Sequence, residues 1–236
     1  SIADNSGLAS NYTLTGGTHQ LTVNQRPLNA TLARQYDGTT TSAGSTLSSF
    51  DALQGGETLT LSGSGTAASA NVANGIAMGS NGDLGLVDGT GLASNYSLNS
   101  TVINIAKRVL NSSGSKIYDA NTNALAGAIT LSNLVSGEAL NHSGTATISS
   151  ANAGSYTISN LTGITIADGS GGAASNYTLT GGTHNFTVNP KVVSIQGNKT
   201  YDGNTTISSS DITSITGTVG SETLVMSSGT GTTSSQ

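Results

Sequence analysis

Three short motifs each occur three times at one shared spacing, and no other feature restricts the fold so strongly. Tyr36-Asp37-Gly38-Thr39-Thr40 returns as Tyr118-Asp119-Ala120-Asn121-Thr122 and as Tyr201-Asp202-Gly203-Asn204-Thr205, 82 and 83 residues further on. Ala9-Ser10-Asn11-Tyr12-Thr13-Leu14 returns at Ala93-Ser94-Asn95-Tyr96-Ser97-Leu98 and at Ala174-Ser175-Asn176-Tyr177-Thr178-Leu179. Glu57-Thr58-Leu59 returns as Glu138-Ala139-Leu140 and Glu222-Thr223-Leu224. Independent markers with one period define a tandem array, and about 82 residues suffice for a small domain with its own core. The markers divide the chain into a closing piece (1–25), two complete repeats (26–107 and 108–190) and an opening piece (191–236). That division predicts a window on a longer array. The alternative is subunits that complete one another head to tail by strand donation.

Only 8% of the residues are charged and 34% are apolar, so Ser, Thr, Asn and Gly fill the difference. Uncharged, Thr-rich alternation suits solvated β-sheets. A net charge of −5 with seven basic residues provides no electrostatic footprint for nucleic acid or an anionic membrane. No apolar run approaches the roughly 20 residues needed to span a bilayer, so no membrane insertion is expected. No signal peptide precedes Ser1, so any targeting segment is expected outside this sequence. Cysteine is absent, which with so little charge fits a bacterial exoprotein that crosses envelopes unfolded.

Residues Leu28 to Tyr36, Thr58 to Leu61, Tyr156 to Ile158 and Ile164 to Ile166 alternate as half-buried strands do. Asp37-Gly38 supplies a turn. Each repeat closes on a Tyr-Thr/Ser-Leu segment, a turn, and a second apolar segment such as Val102 to Ile105 or Phe186 to Val188, which predicts a hairpin. No stretch of a dozen residues keeps a helical period, although Ser48 to Leu53 could form one helical turn. The expectation is an all-β chain of tandem small antiparallel β-sandwiches, Ig-like or alternatively β-grasp-like, arranged as an elongated rod. A parallel β-helix would show a rung period of roughly 20–25 residues, and none is present. The only prolines, Pro27 and Pro190, fall at the short junctions and stiffen them.

The Lys/Arg-x-Tyr-Asp-Gly-x-Thr motif, the Gly-Glu-x-Leu strand, the step Ala151-Asn152-Ala153-Gly154 and the closing Asn-Tyr-Thr-Leu segment together resemble the YDG/MBG-type repeats. Such repeats occur in large bacterial surface adhesins and filamentous-haemagglutinin-like exoproteins, many exported by two-partner secretion. The resemblance covers essentially the whole chain and implies architecture and an extracellular, cell-surface location more than chemistry. Ala120 replaces the motif glycine in the middle copy, so that turn must be reachable without Gly.

The repeated motif residues Tyr36, Asp37, Gly38, Tyr118, Asp119, Tyr201, Asp202, Gly203, Asn11, Tyr12, Asn95, Tyr96, Asn176 and Tyr177 are the candidate structural positions. The tyrosines read as core anchors, with a sugar-stacking row as the functional alternative. The motif aspartates, and Asp4, Asp88 and Asp168, read as turn formers; the pattern expects no cofactor, and calcium is the only one it leaves open. Glu57, Glu138 and Glu222 each lack a second carboxylate for acid–base work, and pairing with a junction Lys or Arg is the plainer reading. An intramolecular Lys–Asn bond at Lys116 or Lys199 is disfavoured because Arg34 holds that place in the first copy. His19, His184 and His142 form no zinc-binding set, and no nucleophile elbow or phosphate loop is present, so no catalytic site is expected.

These readings converge on a structural role. The chain is expected to be a stalk region of a secreted bacterial adhesin or extracellular fibre, with neighbouring repeats as partners, self-association into fibres, and a part in adhesion and biofilm. The alternative is a carbohydrate-binding module for matrix polysaccharide or a host surface.

Overall fold

A computed structural model describes residues 1–234; residues 235–236, the end of the expected 191–236 piece, lie outside the described residues. The chain is strand, turn and short 3-10 segments, with no α-helix among the described residues. The first repeat contains β1 (Arg26–Gln35), β2 (Thr41–Ala43), β3 (Leu47–Phe50), β4 (Leu59–Ser62), β5 (Ser64–Ala67), β6 (Ala73–Ser80), β7 (Gly85–Asp88) and β8 (Tyr96–Ala106). The second contains β9 (Arg108–Val109), β10 (Asn111–Ile117), β11 (Asn123–Leu125), β12 (Ile129–Ser132), β13 (Leu140–Ile148), β14 (Gly154–Asn160), β15 (Ile164–Asp168), β16 (Tyr177–Thr178) and β17 (His184–Asn189). β18 (Ser194–Gly197), β19 (Thr206–Ser208), β20 (Ile212–Thr216) and β21 (Thr230–Thr232) follow.

The chain divides into two compact units. The first comprises Ser1–Ala33, Thr41–Ala68 and Gly75–Ile103; the second takes Arg34–Thr40, Ser69–Asn74 and everything from Asn104 on. Two loops of the first repeat therefore belong to the compact unit built on the second.

The alternation read from sequence sets the cores. Leu28, Ala30 and Leu32 of β1 point one way and are buried, as are Leu59 and Leu61 of β4. In the first unit Leu28, Leu59 and Tyr96 pack with Phe50, Leu53 and Leu86. In the second unit Ile129, Ile148, Ile158, Ile164, Phe186 and Val188 pack together. Burying a side chain of this size contributes about 1.5–3 kcal/mol, and the largest, Phe186, would cost about 3–5 kcal/mol as Ala.

The sheets are curled rather than open. In the second repeat the order is β11-β13-β14-β17-β10-β12, with β15 also on β13. The two edge strands, β11 and β12, are consecutive in the chain and joined only by the 3-10 turn Ala126–Ala128. A link that short draws the edges together and rolls the sheet toward a barrel. The first repeat repeats the device: β2 and β3 form the edges of β2-β5-β6-β8-β1-β3, joined by Gly44–Thr46.

A left-handed glycine makes the roll feasible. Gly144 (φ +102°) divides β13, so that Leu140 to Gly144 pair with β15 while Thr145 to Thr147 pair with β11. A Cβ there would lie 1.9 Å from the carbonyl oxygen of Gly163. Gly63 (φ +77°) occupies the corresponding place between β4 and β5. Glycine lets one strand turn a corner and serve two pairings.

Three expectations are corrected. The units are all-β, but the pairing is mixed: β10 runs parallel to β17 from Ser112↔His184 to Ile117↔Asn189, and β9 runs parallel to β16. The closing segment does not fold back as a hairpin. It follows the opening segment in the same direction, with Leu110 N–H bonded to the Thr178 carbonyl at 2.8 Å and Ser112 N–H to that of Thr183 at 3.0 Å. Ser48 to Leu53 is not a helical turn, because Leu47–Phe50 pairs antiparallel with β1. Residues 1–25 contain a 3-10 turn at Ala9–Asn11 and no strand, since no ladder partner meets them.

Candidate functional site

The Tyr-Asp-Gly segment is a rigid hook in all three copies. Lys116 Nζ donates to the Asn121 carbonyl at 2.7 Å, to Asn121 Oδ1 at 2.9 Å and to the Asn123 carbonyl at 2.9 Å, and pairs with Asp119 at 2.7 Å. Lys199 makes the same set with Asn204, Thr206 and Asp202, and Arg34 reaches Asp37 and the Thr39 carbonyl. Each aspartate accepts the N–H two residues on: Thr39, Asn121 and Asn204. That is an Asx turn, the role read from sequence. The hydrogen bond from Lys199 holds the Asp202 carboxyl below the ordinary carboxylate range; at Asp119 burial pushes upward but Lys116 and the turn N–H outweigh it. Asp37, Asp119 and Asp202 therefore face a cationic side chain, an unfavourable field for calcium. Lys116 thus staples the turn, holding the Asp119 carboxylate and the Asn121 and Asn123 oxygens together. The turn bends through Gly38 and Gly203 at φ +78°, and Ala120 adopts the same left-handed conformation at φ +63°.

The second motif is a capped 3-10 turn leading into a tyrosine. Asp4, Asp88 and Asp168 accept the N–H of Ala9, Ala93 and Ala174 at 2.5, 2.7 and 2.7 Å. Among the described residues no three His, Cys, Asp or Glu side chains gather as metal ligands would.

The third motif joins the other two. Glu138 Oε1 accepts from Tyr36 Oη at 2.6 Å, and its Oε2 accepts from Tyr177 Oη at 2.6 Å. All three residues lie in the second unit. The two rings meet edge to face, with centroids 5.4 Å apart and planes at 79°, an arrangement worth about 0.5–1.5 kcal/mol. Val135 N–H donates to Tyr177 Oη at 3.1 Å, and Val135 Cγ1 packs against Gly38, where a Cβ would approach within 2.9 Å. Burial, and then the hydrogen bond to Glu138, pushes the Tyr177 phenol up to about 12; the same two causes raise Tyr36. Glu222 accepts from Tyr118 in the same manner, and Glu57 from Tyr96. The glutamate therefore pairs with tyrosines. The junction arginines bind elsewhere, Arg26 to the Ala52 carbonyl and Gln54, Arg108 to Asn133.

The parallel arrangement explains why the hook meets the glutamate. Because β10 and β17 end side by side, Tyr118 N–H bonds the Asn189 carbonyl at 2.9 Å, and the hook stands where the chain leaves one repeat for the next. Tyr36 N–H bonds Ala106 in the same way. An antiparallel closing strand would carry the exit to the opposite end.

Asn176, 1% exposed, adds a second lock. Its Oδ1 accepts from Val72 N–H at 3.0 Å and its Nδ2 donates to Asn71 Oδ1 at 3.0 Å, again inside the second unit. Sequence reading singled out Asn176 but not its partners, which lie more than a hundred positions away. A usable signal existed for the glutamates: Glu57 to Tyr96 and Glu138 to Tyr177 share one separation of 39.

The motif tyrosines divide. Tyr36, Tyr96 and Tyr177 are buried and Tyr118 is half-buried, whereas Tyr12 and Tyr201 are 70% and 78% exposed. Asn11 and Asn95 are exposed. His184 spans Ser112 and the Leu179 carbonyl, His19 bonds the Leu14 carbonyl, and His142 bonds the carbonyls of Ala126 and Ile129.

A curled, mixed β-unit whose tyrosine hook, glutamate and capped Asn-Tyr turn recur in register defines a tandem-repeat β-domain protein. The YDG domain family matches residues 17–103 and 106–185, and the chain belongs to that family. No curated protein and no solved structure matches it.

Proposed function

We propose that this chain is a stalk segment of a secreted bacterial surface adhesin or extracellular fibre, acting outside the cell by holding a binding element away from it. The Tyr36–Glu138–Tyr177 clamp carries this reading. It fastens the turn after the first repeat's opening strand within the second unit through two part-buried, charge-assisted hydrogen bonds, the stronger class of such bonds. Asn176 with Asn71 and Val72 adds a second tie. The short, proline-bearing junctions favour an elongated, rod-like array of the small domains. Spending the recurring tyrosines on ties rather than on exposed ring faces also favours a mechanical role, since Tyr36, Tyr96 and Tyr177 offer a polysaccharide no stacking surface.

Small-angle scattering of chains with increasing numbers of repeats tests the reading. The maximum dimension is expected to grow by a constant increment per repeat, and Glu138→Ala is expected to broaden the distance distribution. A dimension that saturates with repeat number, or glycan-array binding that depends on the motif tyrosines, would overturn it in favour of a globular or carbohydrate-binding protein.

A further inference from the structure

Asparagine is followed directly by glycine at Asn74-Gly75 and at Asn81-Gly82, and the second pair stands in a turn that requires its glycine. Residues Asn81 to Leu84 lead from β6 into β7 and close through Leu84 N–H on the Asn81 carbonyl at 3.0 Å. Gly82 takes φ +55° at the second position of that turn, a conformation that favours glycine. A Cβ on it would also lie 2.3 Å from the Ser64 carbonyl oxygen. In the second repeat the close approach falls to Gly163, where a Cβ would lie 2.1 Å from the Thr145 carbonyl oxygen, and the residue before it is Thr162. Of the two complete repeats, only the first therefore sets an obligatory glycine behind an asparagine at this turn.

That order has a chemical consequence. With no side chain to shield it, a glycine nitrogen is the backbone amide most open to the side-chain carbonyl of a preceding asparagine. Asn81 and Gly82 are both exposed, so water reaches them. Gly82 N–H donates to Ser80 Oγ at 3.1 Å, so the proton that must leave this nitrogen already points at a hydroxyl able to relay it.

We propose that Asn81 is a site of self-modification, in which Gly82 N bonds to Asn81 Cγ and the side-chain nitrogen leaves as ammonia with the former amide proton. Water then opens the cyclic imide at either carbonyl, giving aspartate or isoaspartate. The isoaspartate form carries the backbone through one extra methylene, which a four-residue turn cannot absorb. The Leu84 closure would be lost, and with it Asp83 N–H to the Ser64 carbonyl at 3.1 Å and Ser64 N–H to Asp83 Oδ1 at 2.6 Å. Gly63, the corner glycine between β4 and β5, packs against the same Asp83, since a Cβ there would lie 2.2 Å from its carbonyl oxygen. Modification thus slackens the corner on which the curl of the first repeat depends.

Peptide mapping by mass spectrometry, on chain aged for weeks in mildly alkaline buffer at body temperature, tests the proposal. The peptide with Asn81 is expected to gain about one dalton and to resolve into aspartate and isoaspartate forms. Asn74 lies within strand β6 and is expected to convert more slowly, because structured backbone must open first. Asn81→Gln keeps the backbone bonds of the turn and should remove the gain, since ring closure through a further methylene is slower. Amide exchange at Ser64 and Leu84 should quicken in the converted chain and stay unchanged in Asn81→Gln aged beside it. An unconverted Asn81, faster conversion at Asn74, or full protection of Ser64 and Leu84 in the isoaspartate form would overturn it.

Discussion

Glu138→Ala isolates the clamp. The substitution removes an acceptor shared by two phenols, Tyr36 and Tyr177, which are 5% and 1% exposed. Each hydrogen bond to a charged group contributes about 1.5–3 kcal/mol, and a buried hydroxyl left without an acceptor forfeits most of that. Val135 N–H still reaches Tyr177 Oη, but it is a donor and cannot replace the lost acceptor. The second unit should therefore lose about 3–5 kcal/mol. Glu57→Ala breaks one such bond, to Tyr96, and should cost the first unit about 1.5–3 kcal/mol. Glu138→Gln keeps one acceptor oxygen and should fall between the wild-type chain and Glu138→Ala. Urea unfolding followed by far-UV circular dichroism separates these values, since at about 2 kcal/mol per M a loss of 4 kcal/mol moves the midpoint by about 2 M. A cost below about 1 kcal/mol for Glu138→Ala, or one no larger than for Glu57→Ala, would refute the view that the two-tyrosine acceptor holds the second unit.

Alkaline pH provides a second measurement. The Tyr177 phenol, at about 12 when folded against an ordinary 10, binds its proton more tightly in the native state. Its contribution is complete below pH 10 and is lost as pH climbs toward 12, about 2–3 kcal/mol in all; unfolding free energies across that window should decline less steeply in Tyr177→Phe. Asn176→Ala removes both bonds to Asn71 and Val72 and should cost about 1–3 kcal/mol, while Asn95→Ala at the exposed counterpart should stay within about 0.5 kcal/mol by the same urea assay. Ala120→Gly should stabilise the second unit by about 0.5–1 kcal/mol in thermal melts, because Ala120 occupies a left-handed conformation that glycine adopts freely; an unchanged or lowered melting temperature would contradict that.

Much of this molecule is legible in its residues. The period of about 82 positions, the strand alternation in Leu28 to Leu32 and Leu59 to Leu61, the Asx turns at Asp37, Asp119 and Asp202, and the burial of Tyr36, Tyr96 and Tyr177 follow from local chemistry: side-chain alternation, backbone bonding by a short carboxylate, and a shortage of larger apolar residues. Alternation states which residues face a core, but it is silent on the direction in which two strands run. It therefore could not separate a closing hairpin from the parallel β10–β17 pair.

The parallel pair decides where the hook stands, and only the folded chain decides what the hook touches. Tyr36 and Glu138 are 102 positions apart, Asn176 and Val72 104. No local propensity encodes a partner at that distance; it is set when one repeat's exit places its turn against the following core. The sequence alone determined that small β-units would recur with tyrosines at repeated places. The tertiary structure turned those tyrosines and a solitary glutamate into a fastening, because a half-buried carboxylate settles where two phenolic donors converge on it.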